Sequence, residues 1–279
     1  MHIVIVTNYK GDATVTMARI PDNEIQQAIK MFNEGMSITK IAKELHRDAP
    51  TLSKRMKETG ANIIQHCNKK SVDSTFFDNW NEESAYWLGF IFADGSLDLD
   101  NKLEICIKDK EHIEKFKEQI KSDHKISERV INGSSYYRIN MRDKYMGEKL
   151  RSLGVLPNKT YGWTMPNVPI EYIHHFIRGL YDGDGNLNVR GSKTAFRIVS
   201  YDISILENLM QIILEQVPCV KNHIRIYNYE NRVPELNISS KKALNEFLNW
   251  LYKDATIYLD RKYQKYLSYA VLGENHKNS

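Results

Sequence analysis

The sequence predicts an α+β protein in which one αββαββα unit occurs twice, after a small helical domain. Two observations support this prediction. The segment Trp87–Gly95 (WLGFIFADG) resembles the segment Ile177–Gly185 (IRGLYDGDG), which lies 90 positions further along the chain. Each segment is followed by the same order of strand-like and helix-like patterns, as expected for an internal repeat.

Composition is ordinary for a globular protein. The chain has 279 residues, of which 42% are hydrophobic and 27% are charged. Its 39 Lys and Arg against 35 Asp and Glu leave a formal charge of +4, which permits a nucleic-acid partner without requiring one. We expect no transmembrane helix, because no apolar run reaches about 18 residues. Cys67, Cys106 and Cys219 form no CxxC pair, so the pattern favours a reducing cytosol over disulfides or zinc.

Changes in pattern along the chain predict six segments. They are a short β-rich lead-in (1–20), a helix-turn-helix domain (21–60), a linker (61–80), a first repeat (81–165), a second repeat (166–272) and a tail (273–279). The linker is polar and contains Lys69 and Lys70, which either lie along a nucleic acid or simply face solvent.

Three short helices are predicted in residues 21–60. Apolar residues recur there at helical spacing, and Gly35 and Gly60 end the first and third helices. The stretch EGMSITKIAKELHRDAPTLSKRMKETG resembles the small DNA-binding domains of resolvases and related phage regulators. The residues expected to read a major groove are Thr51, Ser53, Lys54, Arg55 and Lys57. The alternative is a three-helix bundle that contacts proteins.

Each repeat is predicted to continue from its motif helix through a strand-like stretch, an amphipathic helix, two more strands and a further helix. In the first copy these are Lys102–Lys108, Glu111–Ser122, Lys125–Ile131, Tyr136–Arg142 and Tyr145–Leu153. In the second they are Leu187–Arg190 with Phe196–Tyr201, then Ile203–Gln216, Asn222–Tyr229, Pro234–Ser239 and Lys241–Tyr252.

The motif helices carry small residues four positions apart. These are Gly89 and Ala93 in the first copy, and Gly179 and Gly183 in the second. Residues at this spacing share one helix face, and small side chains let two backbones approach closely. We therefore predict that the two motif helices pack on each other about a pseudo-twofold axis. That packing would bring Asp94 and Asp184 together at the helix ends.

Over about residues 80–270, the paired motifs and their context resemble the LAGLIDADG homing endonucleases in the single-chain, two-motif form. The resemblance implies a DNA-binding saddle formed by two pseudo-symmetric repeats. It implies a monomeric nuclease, encoded by a mobile genetic element, that cuts both strands of a long asymmetric double-stranded DNA site and leaves 3′ overhangs. The last acid of each motif, Asp94 or Asp184, would bind the catalytic divalent metal together with the backbone carbonyls of Ala93 and Gly183.

The motifs depart from the family pattern in two places. Phe92 stands where the family often has Asp, whereas the second copy keeps Asp182; that position is not the metal ligand. Arg178 stands at the second position of its motif, where we expect it at a helix edge.

Hydrolysis of a phosphodiester requires an activated water and neutralisation of phosphate charge, and hard carboxylate ligands favour Mg²⁺ in a site of two or more ions. The family also carries a lysine late in each repeat. LGVLPNKT and YLDRKY match those stretches, which assigns the role to Lys159 and Lys262, with Arg261 as a rival to the second.

Alternation along the strands predicts which residues face the DNA. Ile126 and Val130 are expected to point inward. The polar residues expected on the open sheet faces are Lys125, Ser127, Arg129, Arg138, Asn140, Arg142, Arg190, Lys193, Arg197, Arg225, Tyr227, Asn237 and Ser239. Glu104 is an exception that this pattern does not explain.

Two other functions fit the same fold. One is a transcription regulator that binds DNA without cutting it; the other is a maturase that binds intron RNA. Because both aspartates and both lysines are present, the sequence favours a cytoplasmic, nucleoid-associated, Mg²⁺-dependent endodeoxyribonuclease.

Overall fold

The computed structural model describes residues 6–7, 13–14, 20–61, 70–157, 164–190 and 193–275. Contacts between residues divide the chain into two units, Met1–Lys69 and Lys70–Ser279. Within the described ranges, no helix combines the length and the apolar character that crossing a membrane requires.

The first unit contains a strand pair and the three predicted helices. The elements are β1 (Val6–Thr7), its antiparallel partner β2 (Ala13–Thr14), α1 (Asp22–Asn33), α2 (Ile38–Glu44) and α3 (Ala49–Glu58). Side-chain caps begin two of the helices, because Ser37 accepts a hydrogen bond from the Lys40 amide and Asp48 accepts one from the Thr51 amide. The helices share a core of Ile25, Ala28, Ile41, Leu52 and Met56.

The second unit contains the two predicted αββαββα repeats. The first consists of α4 (Glu82–Asp94), β3 (Gly95–Leu97), β4 (Lys102–Ile107), α5 (Lys110–Gln119), β5 (Ser127–Ile131), β6 (Ser134–Arg142) and α6 (Lys144–Ser152). The second consists of α7 (Ile173–Asp184), β7 (Gly185–Arg190), β8 (Lys193–Val199), α8 (Ile203–Gln216), a 3-10 turn (Pro218–Val220), β9 (Ile224–Tyr229), β10 (Arg232–Ser239) and α9 (Lys241–Leu251). A further helix, α10 (Asp260–Asn275), follows the second repeat.

Each repeat forms one four-stranded antiparallel sheet with a covered face and an open face. The strand orders are β3-β4-β6-β5 and β7-β8-β10-β9, so β5 and β9 are equivalent edge strands. The helix α5 packs on β4 and β6, while α8 and α9 cover the second sheet. Burial alternates along the central strands, as on β4, where Leu103, Ile105 and Ile107 are buried and the residues between them are half-exposed.

The motif helices α4 and α7 pack with their backbones in direct contact. A Cβ added to Gly89 would overlap the carbonyl of Phe176, and a Cβ added to Gly179 would overlap the carbonyl of Tyr86. Gly179 and Phe176 are the counterparts, 90 positions on, of Gly89 and Tyr86. The predicted close approach about a pseudo-twofold axis is confirmed, and it places the two helix ends side by side.

Part of the segment that the sequence predicted as a linker packs on the second unit. The Asp73 amide donates to the Ile120 carbonyl at 2.8 Å, and the Asp123 amide donates to the Ser71 carbonyl at 3.2 Å. Phe77 is buried in the core of the repeats. Residues 71–80 therefore brace the first repeat through contacts that have no local sequence pattern.

Candidate active site and nucleic-acid interface

Two aspartates mark the adjacent ends of the motif helices. Asp94 is the last residue of α4, Asp184 is the last residue of α7, and both are exposed. Gly183 lies between them: a Cβ there would overlap the Cβ of Ala93 and would lie 3.4 Å from Oδ2 of Asp94. The helix packing thus brings all four residues that the resemblance assigned to metal binding to one place.

The described residues contain no group of three or more His, Cys, Asp or Glu side chains suited to hold a metal ion. A Mg²⁺ ion is commonly bound by one or two carboxylates, with waters and substrate phosphates completing its shell. The donors present, two exposed carboxylates beside backbone carbonyls, fit an ion of this kind and do not fit a closed structural metal site.

Lys262 is buried beside this pair of carboxylates. It stands in the first turn of α10, and its Nζ donates to the carbonyls of Tyr181 at 2.5 Å, Gly185 at 2.7 Å and Gly183 at 3.2 Å. Burial lowers the pKa of Lys262 to about 8, against the opposing attraction of the Asp182 carboxylate and, more weakly, of those at the helix ends. The ammonium thus lies at the carboxyl end of α7, where the helix dipole favours a positive charge.

Arg261, the rival to Lys262, points elsewhere. Its Nε lies 3.1 Å from Oδ2 of Asp109, at the start of α5, and the side chain is half-exposed. The second predicted lysine, Lys159, lies outside the described residues, and so do its neighbours in 158–163.

Asp182 is fully buried and lies two residues before the end of α7. Its Oδ2 accepts hydrogen bonds from the Tyr86 hydroxyl at 2.7 Å and from the Leu259 amide at 2.8 Å. Burial raises the pKa of Asp182 to about 6, while the Lys262 ammonium opposes this increase. The carboxylate joins α4, α7 and the start of α10. Because both of these donors bind Oδ2, the Asp182 side chain is held in a fixed orientation as a structural hydrogen-bond acceptor.

Arg178 corrects one prediction. We expected it at a helix edge, but its side chain is completely buried. Its guanidinium is bound by Glu82, by two backbone carbonyls and by Nδ1 of His175, whose pKa burial lowers to about 3. The sequence did not reveal this arrangement because Glu82 is 96 positions away and no local spacing connects the two residues.

The open face of the first sheet carries the predicted polar residues of β6. Asn140 and Arg138 are half-exposed and Arg142 is exposed, whereas Ile139 and Met141 between them are buried. Glu104, which the sequence pattern left unexplained, lies on this face. Its carboxylate is 3.3 Å from Nζ of Lys102 and 3.7 Å from Arg138, so it offsets part of the positive charge.

The prediction for Val130 is wrong, because its side chain is 69% exposed. It lies on β5, an edge strand whose last four residues are all exposed, since α5 packs on β4 and β6. Ile126 is half-buried, and the polar residues Lys125, Ser127 and Arg129 are exposed or half-exposed. Alternation predicts burial only where a layer of helices covers one face.

The second sheet corrects the prediction for Asn237. Arg225, Tyr227 and Ser239 are exposed as expected, but Asn237 is buried. In the sheet register Asn237 lies between Arg197 and Arg225, whose long side chains stand on the same face. The backbones of Arg190 and Lys193 pair at the tip of the β7–β8 hairpin.

The five polar residues predicted on α3 differ in their environment. Lys54 and Lys57 are exposed. Arg55 forms ion pairs with Glu58 at 2.6 Å and Asp22 at 3.3 Å, and the Thr51 hydroxyl donates to Asp48 at 2.7 Å. Ser53 is half-exposed, on the same helix. Two lysines therefore provide most of the exposed positive charge of this helix.

Comparison with known proteins identifies the second repeat. Residues 171–251 match the family model described as the LAGLIDADG-like domain. This stretch of the chain is similar to LAGLIDADG-like domains. This match confirms the family resemblance that the paired motifs predicted. No curated protein matches the chain.

Solved structures extend the LAGLIDADG likeness to both repeats. The structure of meganuclease I-SmaMI bound to uncleaveable DNA matches with a TM-score of 0.53 at 12% identity, over 70% of this chain and 91% of that one. Meganucleases I-AabMI and I-CpaMI, each bound to uncleaved DNA, match with TM-scores of 0.50 at 14% and 12% identity. These matches cover 71% and 72% of this chain and 92% and 93% of the other chains. At such identities they establish the fold, and the predicted two-repeat LAGLIDADG architecture is confirmed.

Proposed function

We propose that this protein is a site-specific endonuclease that cuts both strands of double-stranded DNA at the ends of α4 and α7. The observation that carries the proposal is the placement of Asp94 and Asp184 at adjacent ends of two close-packed helices, with Lys262 buried beside them. Two carboxylates at pseudo-symmetric positions suit a reaction that must occur once on each strand.

The proposed centre uses divalent metal, most simply Mg²⁺, held by Asp94, Asp184 and the carbonyls of Ala93 and Gly183. A carbonyl oxygen has two lone pairs, so the hydrogen bond from Lys262 to Gly183 leaves one of them available. Bound divalent ions would neutralise phosphate charge and activate water. Lys262 keeps a positive charge at neutral pH, because a pKa of about 8 leaves it mainly protonated, and so it is suited to stabilise the developing negative charge.

The proposed DNA interface is the pair of open sheet faces. Arginine and asparagine side chains in the strands suit phosphate and base-edge contacts, and two sheets that differ in sequence suit a long asymmetric site read by one chain. The exposed residues of this interface are Lys125, Arg129, Arg142, Arg225 and Tyr227, and Arg138 is half-exposed beside them. The helix-turn-helix unit, through Lys54 and Lys57, would extend this footprint or bind a second, regulatory DNA site.

Cleavage of a randomised and genomic duplex library, followed by sequencing of the ends, tests the proposal. We expect cuts at one long motif in Mg²⁺, with binding but no cuts in Ca²⁺. Asp94→Asn and Asp184→Asn should each lower the cleavage rate by about a thousandfold. Asp123→Asn, which removes an exposed carboxylate elsewhere, should cut normally.

Three results would point away from this function. Sequence-specific retention of DNA without cuts in any metal would indicate a regulator. Retention of structured RNA with no retention of duplex DNA would indicate a maturase. Cuts that persist in both aspartate variants would locate the chemistry elsewhere in the chain.

A further inference from the structure

A buried arginine in the second motif helix ties that helix to the connection between α9 and α10. Nε of Arg178 donates to the Ile257 carbonyl at 2.9 Å, and Nη1 donates to the Leu251 carbonyl at 3.0 Å. Its Nη2 donates to Oε1 of Glu82 at 2.7 Å. The planar guanidinium thus holds both ends of the segment 251–257 in one plane of hydrogen bonds.

Glu82, the first residue of α4, binds the same segment from the other side. Its Oε1 accepts from the amides of Thr256 at 2.7 Å and Ile257 at 3.2 Å, and its Oε2 accepts from the Thr256 hydroxyl at 2.9 Å. The Glu82 side chain is 15% exposed and the Arg178 side chain is 0% exposed. Bonds to ionised groups away from water are stronger and more directional than surface bonds, so this pair fixes the segment.

The segment leads directly to the candidate catalytic lysine. The Leu259 amide donates to Asp182, and Lys262 follows within one turn. Three consecutive attachments, at residues 251, 256–257 and 259, therefore determine where α10 begins and where the Lys262 ammonium lies.

In the part of the chain that the structure describes, the first motif helix has no such arrangement. Leu88, the residue 90 positions before Arg178, is an apolar core residue. The attachment therefore belongs to one half of a pseudo-symmetric pair.

We propose that Arg178 and Glu82 are positioning residues that hold Lys262 at the Asp184 end of the centre, and that they set the cleavage rate of only one of the two DNA strands. The consequence for strand cleavage rests on the proposed nuclease function; the positioning of Lys262 does not. A displacement of about 1 Å of a catalytic group can cost about a hundredfold in rate, so loss of the attachment should convert a double-strand cutter into a strand-specific nickase.

The first arm of the test measures the position of Lys262 without any DNA. Lysines of the folded protein are methylated under limiting reagent and quantified by mass spectrometry. In the wild type Lys262 should be among the least modified lysines, since it is 4% exposed and donates to three carbonyls. Arg178→Leu, which copies the first repeat, should increase its modification several-fold, and the conservative Glu82→Gln should give a smaller increase.

The second arm follows a supercoiled plasmid that carries the target found by library cleavage. The wild type should produce linear DNA, whereas Arg178→Leu should accumulate open circles with the break always in the same strand. DNA affinity should be unchanged, and the cleavage rate of the strand that stays intact in these open circles should fall by about a hundredfold. Glu82→Gln should show the same strand bias, less strongly, because its amide oxygen still accepts from the segment.

A matched control separates positioning from general loss of stability. Ile213→Val removes a methylene group from the buried face of α8 in the same repeat, whereas Arg178 lies on α7 and Glu82 on α4. It should lower the melting temperature without changing Lys262 modification or strand bias. If Arg178→Leu does not fold, the Lys262 modification and the strand bias of Glu82→Gln alone test the proposal.

Unchanged modification of Lys262 in a folded variant, or equal slowing of both strands, would overturn the proposal. If the wild type cuts no DNA at all, the nuclease function fails, and the labelling arm still decides whether Arg178 and Glu82 position Lys262.

Discussion

The two motif helices share a backbone arrangement and differ in their chemistry. Helices α4 and α7 each end in an aspartate, and each presents a glycine to a carbonyl of the other. Where α7 has Arg178 and Asp182, however, α4 has Leu88 and Phe92. The ring of Phe92 packs edge-on against Phe176, so that position is filled by an apolar contact instead of a hydrogen-bonded carboxylate.

This difference separates the requirements of packing from those of chemistry. The shared glycines allow the helix contact, which both halves need equally. The polar side chains of α7 instead serve the start of α10, which follows the second repeat. Pseudo-symmetry therefore extends to the backbone and the terminal aspartates, while the two ends of the centre are held by different means.

Disrupting the glycine contacts between α4 and α7 should have the largest effect on stability. Gly89→Ala and Gly179→Ala each place a methyl group on a backbone carbonyl of the partner helix, which cannot move as a side-chain tip can. Each substitution should lower the free energy of unfolding by about 3 kcal/mol, as severe overpacking does. Urea denaturation of the two variants measures this, and the two losses should be similar because the contacts are pseudo-symmetric.

A glycine outside the helix contact serves as the control. Gly133, in the turn between β5 and β6, has φ of +74° and open space around its Cβ position. Asn tolerates this left-handed conformation, so Gly133→Asn should change stability by no more than about 0.5 kcal/mol. A large cost at Gly179 with little cost at Gly89 would contradict the symmetric packing.

Sequence reasoning succeeded where the controlling signal was local or repeated. The four-residue spacing of small residues predicted the helix contact, and the 90-residue offset predicted both repeats. It failed at Arg178, Val130 and Asn237, where the environment depends on distant residues: a glutamate 96 positions away, an uncovered sheet edge, and two flanking arginines. Alternation assigns a side chain to a face, but only the neighbouring strands and helices determine whether it is buried.

The buried carboxylate Asp182 of α7 predicts a pH dependence that Phe92, at the equivalent position of α4, cannot contribute. Burial raises the pKa of Asp182 to about 6, whereas an unfolded aspartate titrates near 4. Between these values the folded state binds more protons than the unfolded state, so this group's contribution to stability is present below pH 4 and is lost as pH rises to 6. The free energy of unfolding should fall by up to about 1.4 kcal/mol per pH unit where this dependence is steepest.

Comparison with Asp182→Asn isolates this contribution, because the groups that do not interact with Asp182 cancel in the difference. The free energy of unfolding of the variant, minus that of the wild type, should increase from pH 4 to pH 6 and then level off until Lys262 begins to titrate. Phe92→Leu, at the equivalent position of α4, should give a difference that is independent of pH. A flat difference for Asp182→Asn would mean that the carboxylate does not titrate in this window.

The open sheet faces provide the finest comparison. Each face has an ion pair at the same two positions, but the acidic and basic residues are exchanged between the two sheets. In the first sheet Glu104 lies 3.7 Å from Arg138; in the second Arg197 lies 3.8 Å from Glu235. Register makes Glu104 the counterpart of Arg197, since each pairs with an asparagine, Asn140 in one case and Asn237 in the other. If both faces contact DNA, neutralising these two residues should have opposite effects.

Arg197→Gln should weaken binding and reduce the slope of log K against log salt by about 0.9, the value for one phosphate contact. Glu104→Gln should tighten binding, by less than about tenfold and more at low salt, because it removes a carboxylate from the face that meets phosphate. Fluorescence anisotropy with the target duplex in Ca²⁺ measures both. Glu207→Gln changes the net charge equally from an exposed position on α8, behind the second sheet, and should have little effect. Equal changes in DNA affinity for Glu104→Gln and Glu207→Gln would show that net charge governs binding. The first sheet would then not be a DNA-binding face.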